Sequence, residues 1–107
     1  SMSELMRPPL YGAYHEITPI RKSEMPHKVY DVVGPVCESS DFIGKERKLN
    51  CKSGDLLVIQ DVGAYGSVLS SNYNTRPRPA EYMISNSEIK LIRTSDTLDQ
   101  IIENESC

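Results

Sequence analysis

Ser53-Gly54-Asp55-Leu56-Leu57-Val58-Ile59-Gln60-Asp61-Val62-Gly63-Ala64-Tyr65-Gly66 holds a complete strand signal with its punctuation. Ser53-Gly54-Asp55 is a turn cluster, and Leu56 to Ile59 is a run of apolar residues too short for a helix. Two glycines, Gly63 and Gly66, then close the segment. Upstream, Val29 to Val36 is rich in Val and meets Gly34-Pro35, which predicts a second buried strand. Tyr11 to Ile17 reads as extended. Downstream, Glu81–Ile84 and Glu88–Ile92 predict a hairpin around Ser85-Asn86-Ser87. Thr75-Arg76-Pro77-Arg78-Pro79 is excluded from any central strand, because two prolines remove ladder donors. Helical signal is confined to Leu98, Ile101 and Ile102, spaced i, i+3, i+4 behind the capping candidates Ser95 and Asp96, and to a short turn over Tyr65–Ser71 opened by Gly63. The first helix is expected from about Thr97 to Asn104. The expected class is mainly β: a small Greek-key barrel or sandwich with two or three short helices, as a single domain over residues 1–107.

The chain has 107 residues, 38% of them apolar and 25% charged, which supports one small core. The formal net charge of −3 argues against a nucleic-acid footprint, which needs clustered Lys and Arg. No apolar run reaches the roughly 20 residues of a membrane helix. Ser1 before Met2 reads as a cleavage scar, no signal peptide is expected, and Pro8-Pro9 reads as the chain entering from an upstream segment. Cys37, Cys51 and Cys107 are widely spaced, a poor disulfide framework and a poor zinc site, and fit a reducing cytoplasm. His15 and His27 have no second ligand at metal spacing, so packed or solvated histidines are expected and no metal.

Three segments could carry chemistry. The Gly63-Ala64-Tyr65-Gly66 turn could offer N–H groups and the Tyr65 hydroxyl to an anion, or simply pack a Tyr in a tight turn. In Val36-Cys37-Glu38-Ser39-Ser40-Asp41, a thiol beside carboxylates could move a proton and bind an amine. The neighbouring negative charges disfavour a thiolate, so Cys37 suits a proton donor better than a nucleophile; the plainer reading is a buried Cys beside solvated acids. Arg7 and Tyr11 pair a guanidinium with a phenol, a set that can grip a carboxylate or stay solvated. Lys45-Glu46-Arg47-Lys48 reads as a solvated face. Arg76 and Arg78 could order a loop or an interface.

Arg7 to Ile17 (RPPLYGAYHEI), Val32 to Leu49 (VVGPVCESSDFIGKERKL) and Gly54 to Ile84 together resemble the C-terminal domain of the diaminopimelate decarboxylase family. These are pyridoxal-phosphate enzymes of the alanine-racemase-like fold type. The three stretches cover more than half the chain in the family's order. The resemblance implies that Cys37 donates the proton replacing the lost carboxylate. It implies that Glu38 binds substrate near an amino group, that Arg7 and Tyr11 bind a substrate carboxylate, and that Tyr65 contacts substrate and cofactor. It implies pyridoxal 5'-phosphate as cofactor and a homodimer in which the Cys37–Glu38 segment enters the neighbouring subunit's site. Glu38 stands where ornithine decarboxylases usually carry Asp, which favours diaminopimelate over ornithine, arginine or a carboxy-polyamine.

One departure weighs against a self-sufficient enzyme. In the family the lysine that holds the cofactor and the glycines that cradle its phosphate lie in an N-terminal barrel, for which about 250 residues are needed. That barrel is the expected partner, and this chain alone is expected to be inactive. An inactive regulatory module that kept the fold is the alternative from another class.

Overall fold

Two successive prolines open a helix where the sequence suggested a linker. The computed structural model describes residues 1–106. In it Arg7–Tyr11 forms α1, with proline in the first turn and Gly12 closing it at φ 65°. Proline lacks only an N–H that a first turn leaves unpaired, so it starts helices well. The predicted extended segment does not become a strand: Tyr11 ends α1, residues 12–16 are irregular, and the strand β1, Ile17–Pro19, shares only Ile17 with it.

The second strand lies where the valines put it, as β2 at Lys28–Val33, but it is not the buried strand expected: none of its residues is buried, and Val29 and Val33 are 62% and 64% exposed. Its antiparallel partner is β3, Phe42–Leu49, the longest strand of the fold and one the sequence reading missed. The charged run within it is solvated as expected at Lys45, Glu46 and Lys48, but it is pleated backbone as well. A bulge hides its period. Register shifts between Tyr30 and Val32, and Glu46 sits at φ 53° with its N–H on the Asp31 carboxylate at 2.8 Å. One extra residue puts two successive side chains on the solvent side and breaks the alternation. Arg47 is half-buried: it stacks 3.8 Å above the Tyr14 ring and donates to the His15 carbonyl at 2.9 Å.

The strand of the decisive segment is β4, Leu57–Ile59, antiparallel to β1 with Ile17 opposite Ile59. The predicted hairpin forms as β5, Glu81–Ser85, and β6, Glu88–Arg93. Asn86 and Ser87 both take positive φ, the two-residue turn whose twist suits a hairpin. The last helix, α2, spans Leu98–Ile102. Its cap is Thr97 rather than Ser95 or Asp96, because Gln100 three residues on completes a reciprocal capping box. The Tyr65–Ser71 segment contains a single tight turn, Ser67–Leu69.

The β-rich class holds, whereas a closed barrel does not form among the described residues. The six strands make three separate two-stranded ladders. Leu5, Ile17, Ile43 and Leu49 form the core, with Tyr30, Val32, Leu57 and Ile59 packed on it, so the β1–β4 and β2–β3 ladders enclose it between them. His15 is buried beside this core, its Nδ1–H donating to the Gln60 carbonyl at 3.0 Å. The β5–β6 hairpin is bare: Tyr82, Met83, Ile84, Ile89, Leu91 and Ile92 are all exposed. The radius of gyration is 15.8 Å, against about 13 Å for a compact domain of this length. Among the described residues no helix is long and apolar enough to cross a membrane.

Arg76 and Arg78 order a loop, one of the two roles foreseen for them. The Arg78 guanidinium meets Asp96 at 2.9 Å, and Arg78 N and Asn72 Nδ2 donate to the same carboxylate at 3.0 and 2.8 Å. The hydrogen bond from Arg78, then that from Asn72, holds the Asp96 carboxyl well below its ordinary value of 3.8. A depressed folded-state value stabilises the fold above the unfolded value and loses that contribution as pH falls below it. Asp96→Asn therefore lowers the melting temperature at pH about 7, and its deficit shrinks on acidification below pH about 4. A deficit constant across a pH series of melting curves would contradict the assignment.

Candidate active site

A buried carboxylate shapes the loop that carries the most reactive residues. Asp41 is only 2% exposed, and no cation pairs with it among the described residues. Its Oδ1 accepts the Met2 N–H at 2.6 Å and its Oδ2 the Val36 N–H at 2.7 Å. The loop folds back as Glu38 N bonds Val36 O at 2.9 Å and Asp41 N bonds Glu38 O at 3.0 Å. Gly34 donates to the Asp41 carbonyl at 2.9 Å, and a methyl group on Gly34 would overlap the Asp41 side chain. Glycine is required there by space, not by dihedral angle. The result is a tight knuckle that buries Val36 and turns Cys37 and Glu38 outward. Cys37 is exposed and unbridged, not the buried Cys of the plainer reading.

Among the described residues, Glu38 is held by hydroxyls alone. Ser40 Oγ donates to its Oε2 at 3.3 Å, and the Tyr73 hydroxyl donates to Oε1. That bond and the carboxylate's charge, with a smaller contribution from Cys37, raise the Tyr73 phenol above its ordinary value of 10.0. The structure thus gathers Cys37, Glu38 and Tyr73 into one cluster. Tyr73 is the member of this cluster that sequence reasoning missed. Its only signal was a lone aromatic among the turn formers Ser70 to Thr75. Asp41 was quoted as part of a motif, but nothing in the chain order showed that Met2 would reach it.

The other predicted residues stand elsewhere. Arg7 and Tyr11 lie four apart on α1 and so share a helix face; Arg7 is half-buried and Tyr11 is 67% exposed. Tyr65 is 64% exposed at φ 60°, a strained conformation for an aromatic residue. The left-handed positions of its turn are Asp61 and Tyr65, not the glycines. Gly66 is needed because any Cβ would strike the Val62 carbonyl. The helix that follows is a three-residue turn, so the anticipated anion-binding helix start is not formed. Among the described residues, no side-chain hydrogen bond joins α1, Tyr65 and the Cys37–Glu38 loop to one another.

The comparisons with known proteins bear on the same residues. Residues 1–63, which include α1 and the whole Asp41 loop, match the family described as pyridoxal-dependent decarboxylase, C-terminal sheet domain. The chain belongs to this family. It is 46% identical over 105 residues to the diaminopimelate decarboxylase of Neisseria meningitidis serogroup B, covering 98% of this chain and 25% of that protein. The Vibrio cholerae diaminopimelate decarboxylase is 47% identical, with 99% and 25% covered. A crystal structure of the diaminopimelate decarboxylase from M. jannaschii in complex with L-lysine superposes with a TM-score of 0.93 at 38% identity, covering 99% of this chain and 24% of that one. The chain therefore spans about a quarter of the relatives it matches. Its membership in a pyridoxal-dependent family implies pyridoxal phosphate as cofactor.

The residues of this sheet domain fit the rim of such a cofactor site and not its anchor. Tyr65 is 64% exposed and its phenol has no hydrogen-bond partner among the described residues, which suits it to contact a ring or an anion. Every lysine, by contrast, is exposed, whereas a lysine that binds a carbonyl needs desolvation to lose its proton.

Asp41→Ala would leave the Met2 and Val36 N–H groups buried without acceptors. Each costs about 1–3 kcal/mol, so a loss of about 2–6 kcal/mol in urea unfolding is expected. A change below about 0.5 kcal/mol, the range of ordinary surface substitutions, would contradict the role given to the carboxylate.

Proposed function

We propose that this chain is the C-terminal domain of a diaminopimelate decarboxylase, which releases CO₂ from meso-2,6-diaminopimelate and leaves L-lysine. The observation that carries this reading is the Cys37–Glu38 knuckle: a thiol and a carboxylate side by side, exposed, on backbone locked by Asp41. The M. jannaschii relative with L-lysine bound supports the product. Exposed site residues on an elongated domain support completion of the site by other bodies. In this reading they are an N-terminal barrel of the same protein and a second subunit, with sites shared across the homodimer.

Pyridoxal phosphate, when bound, withdraws the electron pair left on the substrate's α carbon as CO₂ departs. This chain's residues do the rest of their part by position and proton transfer. Tyr65 contacts the cofactor and the substrate at the rim. Arg7 and Tyr11 take the distal carboxylate, where a guanidinium can give two parallel hydrogen bonds and the phenol a third. Glu38 takes an ammonium group of the substrate. The Cys37 thiol gives its proton to the α carbon in place of the lost carboxylate: the C–C bond to CO₂ breaks, a C–H bond forms, and the thiol is left as thiolate for reprotonation. The distal carboxylate separates diaminopimelate from ornithine, so α1 is the specificity element.

The complete enzyme, loaded with pyridoxal phosphate and offered diaminopimelate, ornithine and arginine in parallel, should release CO₂ from diaminopimelate alone. Release from another of the three would overturn the substrate. Cys37→Ala should lower kcat by about 10²–10⁴-fold with cofactor content unchanged; an unchanged kcat removes Cys37 from the chemistry. Arg7→Ala should collapse the preference for diaminopimelate over ornithine, measured as the ratio of kcat/KM values. A preserved ratio would reassign the specificity to another element.

A further inference from the structure

Glu38 carries a full negative charge that no cation meets among the described residues. Its two oxygens face neutral donors, Ser40 Oγ on one side and the Tyr73 hydroxyl on the other. Neutral donors orient a carboxylate without spending its charge, so it stays available to an incoming ammonium. The Ser40 bond is long and local. The Tyr73 bond comes from a different part of the chain, 35 residues away, and it alone ties the carboxylate to a separate element.

That element is braced. Tyr73 opens the tight turn Tyr73–Thr75, and the next two residues, Asn74 and Thr75, both sit at φ 57°. Asn72 beside it donates to Asp96 at 2.8 Å and to the Arg76 carbonyl at 3.0 Å. Asp96 is itself fixed by Arg78. The phenol is thus presented from a backbone anchored on the far side by a charged cluster, while the Asp41 knuckle anchors Glu38 on the near side.

We infer that Tyr73 is a positioning residue for substrate recognition: its hydroxyl fixes the Glu38 carboxylate in the orientation that receives the substrate's ammonium group. This rests on the reading of Glu38 as a substrate ligand. Tyr73 itself touches neither the reacting carbon nor the departing carboxylate. Its effect falls on KM more than on kcat. The raised phenol agrees with a donor held against a charged acceptor.

The test is steady-state kinetics of the complete, cofactor-loaded enzyme with diaminopimelate. Tyr73→Phe should raise KM by roughly three- to tenfold, the worth of one charge-assisted hydrogen bond at an exposed site, with a smaller change in kcat. In a Glu38→Gln background the same substitution should raise KM no further, because the group it positions is gone. Multiplying effects would overturn the proposal. So would a silent Tyr73→Phe beside a damaging Glu38→Gln. A silent Glu38→Gln would instead overturn the reading of Glu38 on which the inference stands. One readout needs no turnover, and it uses Tyr73 variants only to assign the resonance. In the complete enzyme carrying ring-labelled tyrosine, the Tyr73 resonance, assigned by its loss in Tyr73→Phe or in Tyr73→Leu if the first does not fold, should titrate above an ordinary phenol. It should return to the ordinary range in Glu38→Gln. A Tyr73 phenol that titrates normally in the unaltered enzyme would overturn the clamp.

Discussion

The buried carboxylate of Asp41 is the constraint on which the rest of this domain depends. A charged group taken out of water must be met by donors, and here the donors are two backbone N–H groups from parts of the chain 39 and 5 residues away. Satisfying them pins the N-terminal segment against the end of β2 and forces the intervening chain into a knuckle. Gly34 leaves the space that the carboxylate fills. The knuckle has no room for Cys37 and Glu38 inside it, so both face outward. Cys37 and Glu38, the residues proposed to act, are presented because a neighbour is buried.

Local chemistry made much of the fold legible. Leu57–Ile59 and Lys28–Val33 are apolar or β-branched runs with turn residues at their ends, and the hairpin is marked by alternating segments around Asn86-Ser87. These signals survive because each depends on neighbours in sequence. The β3 strand escaped because a bulge at Glu46 broke its alternation, and because the four charges of Lys45 to Lys48 satisfy a solvated face and a strand equally well. Pro8-Pro9 escaped because proline suits both a linker and a first helical turn. The cap lies one residue beyond the candidates Ser95 and Asp96, because Gln100 completes a capping box only with Thr97.

The site divides in the same way. Cys37, Glu38, Arg7, Tyr11 and Tyr65 were legible as residue types in motifs, and the motifs are those of a decarboxylase sheet domain. What chain order could not show is which of them meet. Asp41 with Met2, and Tyr73 with Glu38, are contacts across 39 and 35 residues. The first joins the N-terminal segment to the loop between β2 and β3, and the second joins that loop to the segment after β4. Arg7 and Tyr11 remain apart from both, on a helix of their own.

That separation, with Tyr11 and Tyr65 about two-thirds exposed, is the observation that supports the proposed sharing of a site. Catalysis needs a water-excluded cavity, and these side chains stand on an outer surface. The account therefore turns on the proposed sharing of sites between two chains. The most direct measurement mixes two inactive variants of the complete enzyme, one carrying Cys37→Ala and one lacking the barrel's cofactor-binding lysine, under conditions that exchange subunits. Recovered CO₂ release from diaminopimelate in the mixed dimers is the predicted result, because one of their two sites then holds both the thiol and the lysine. Mixed dimers that form and stay inactive would contradict the account.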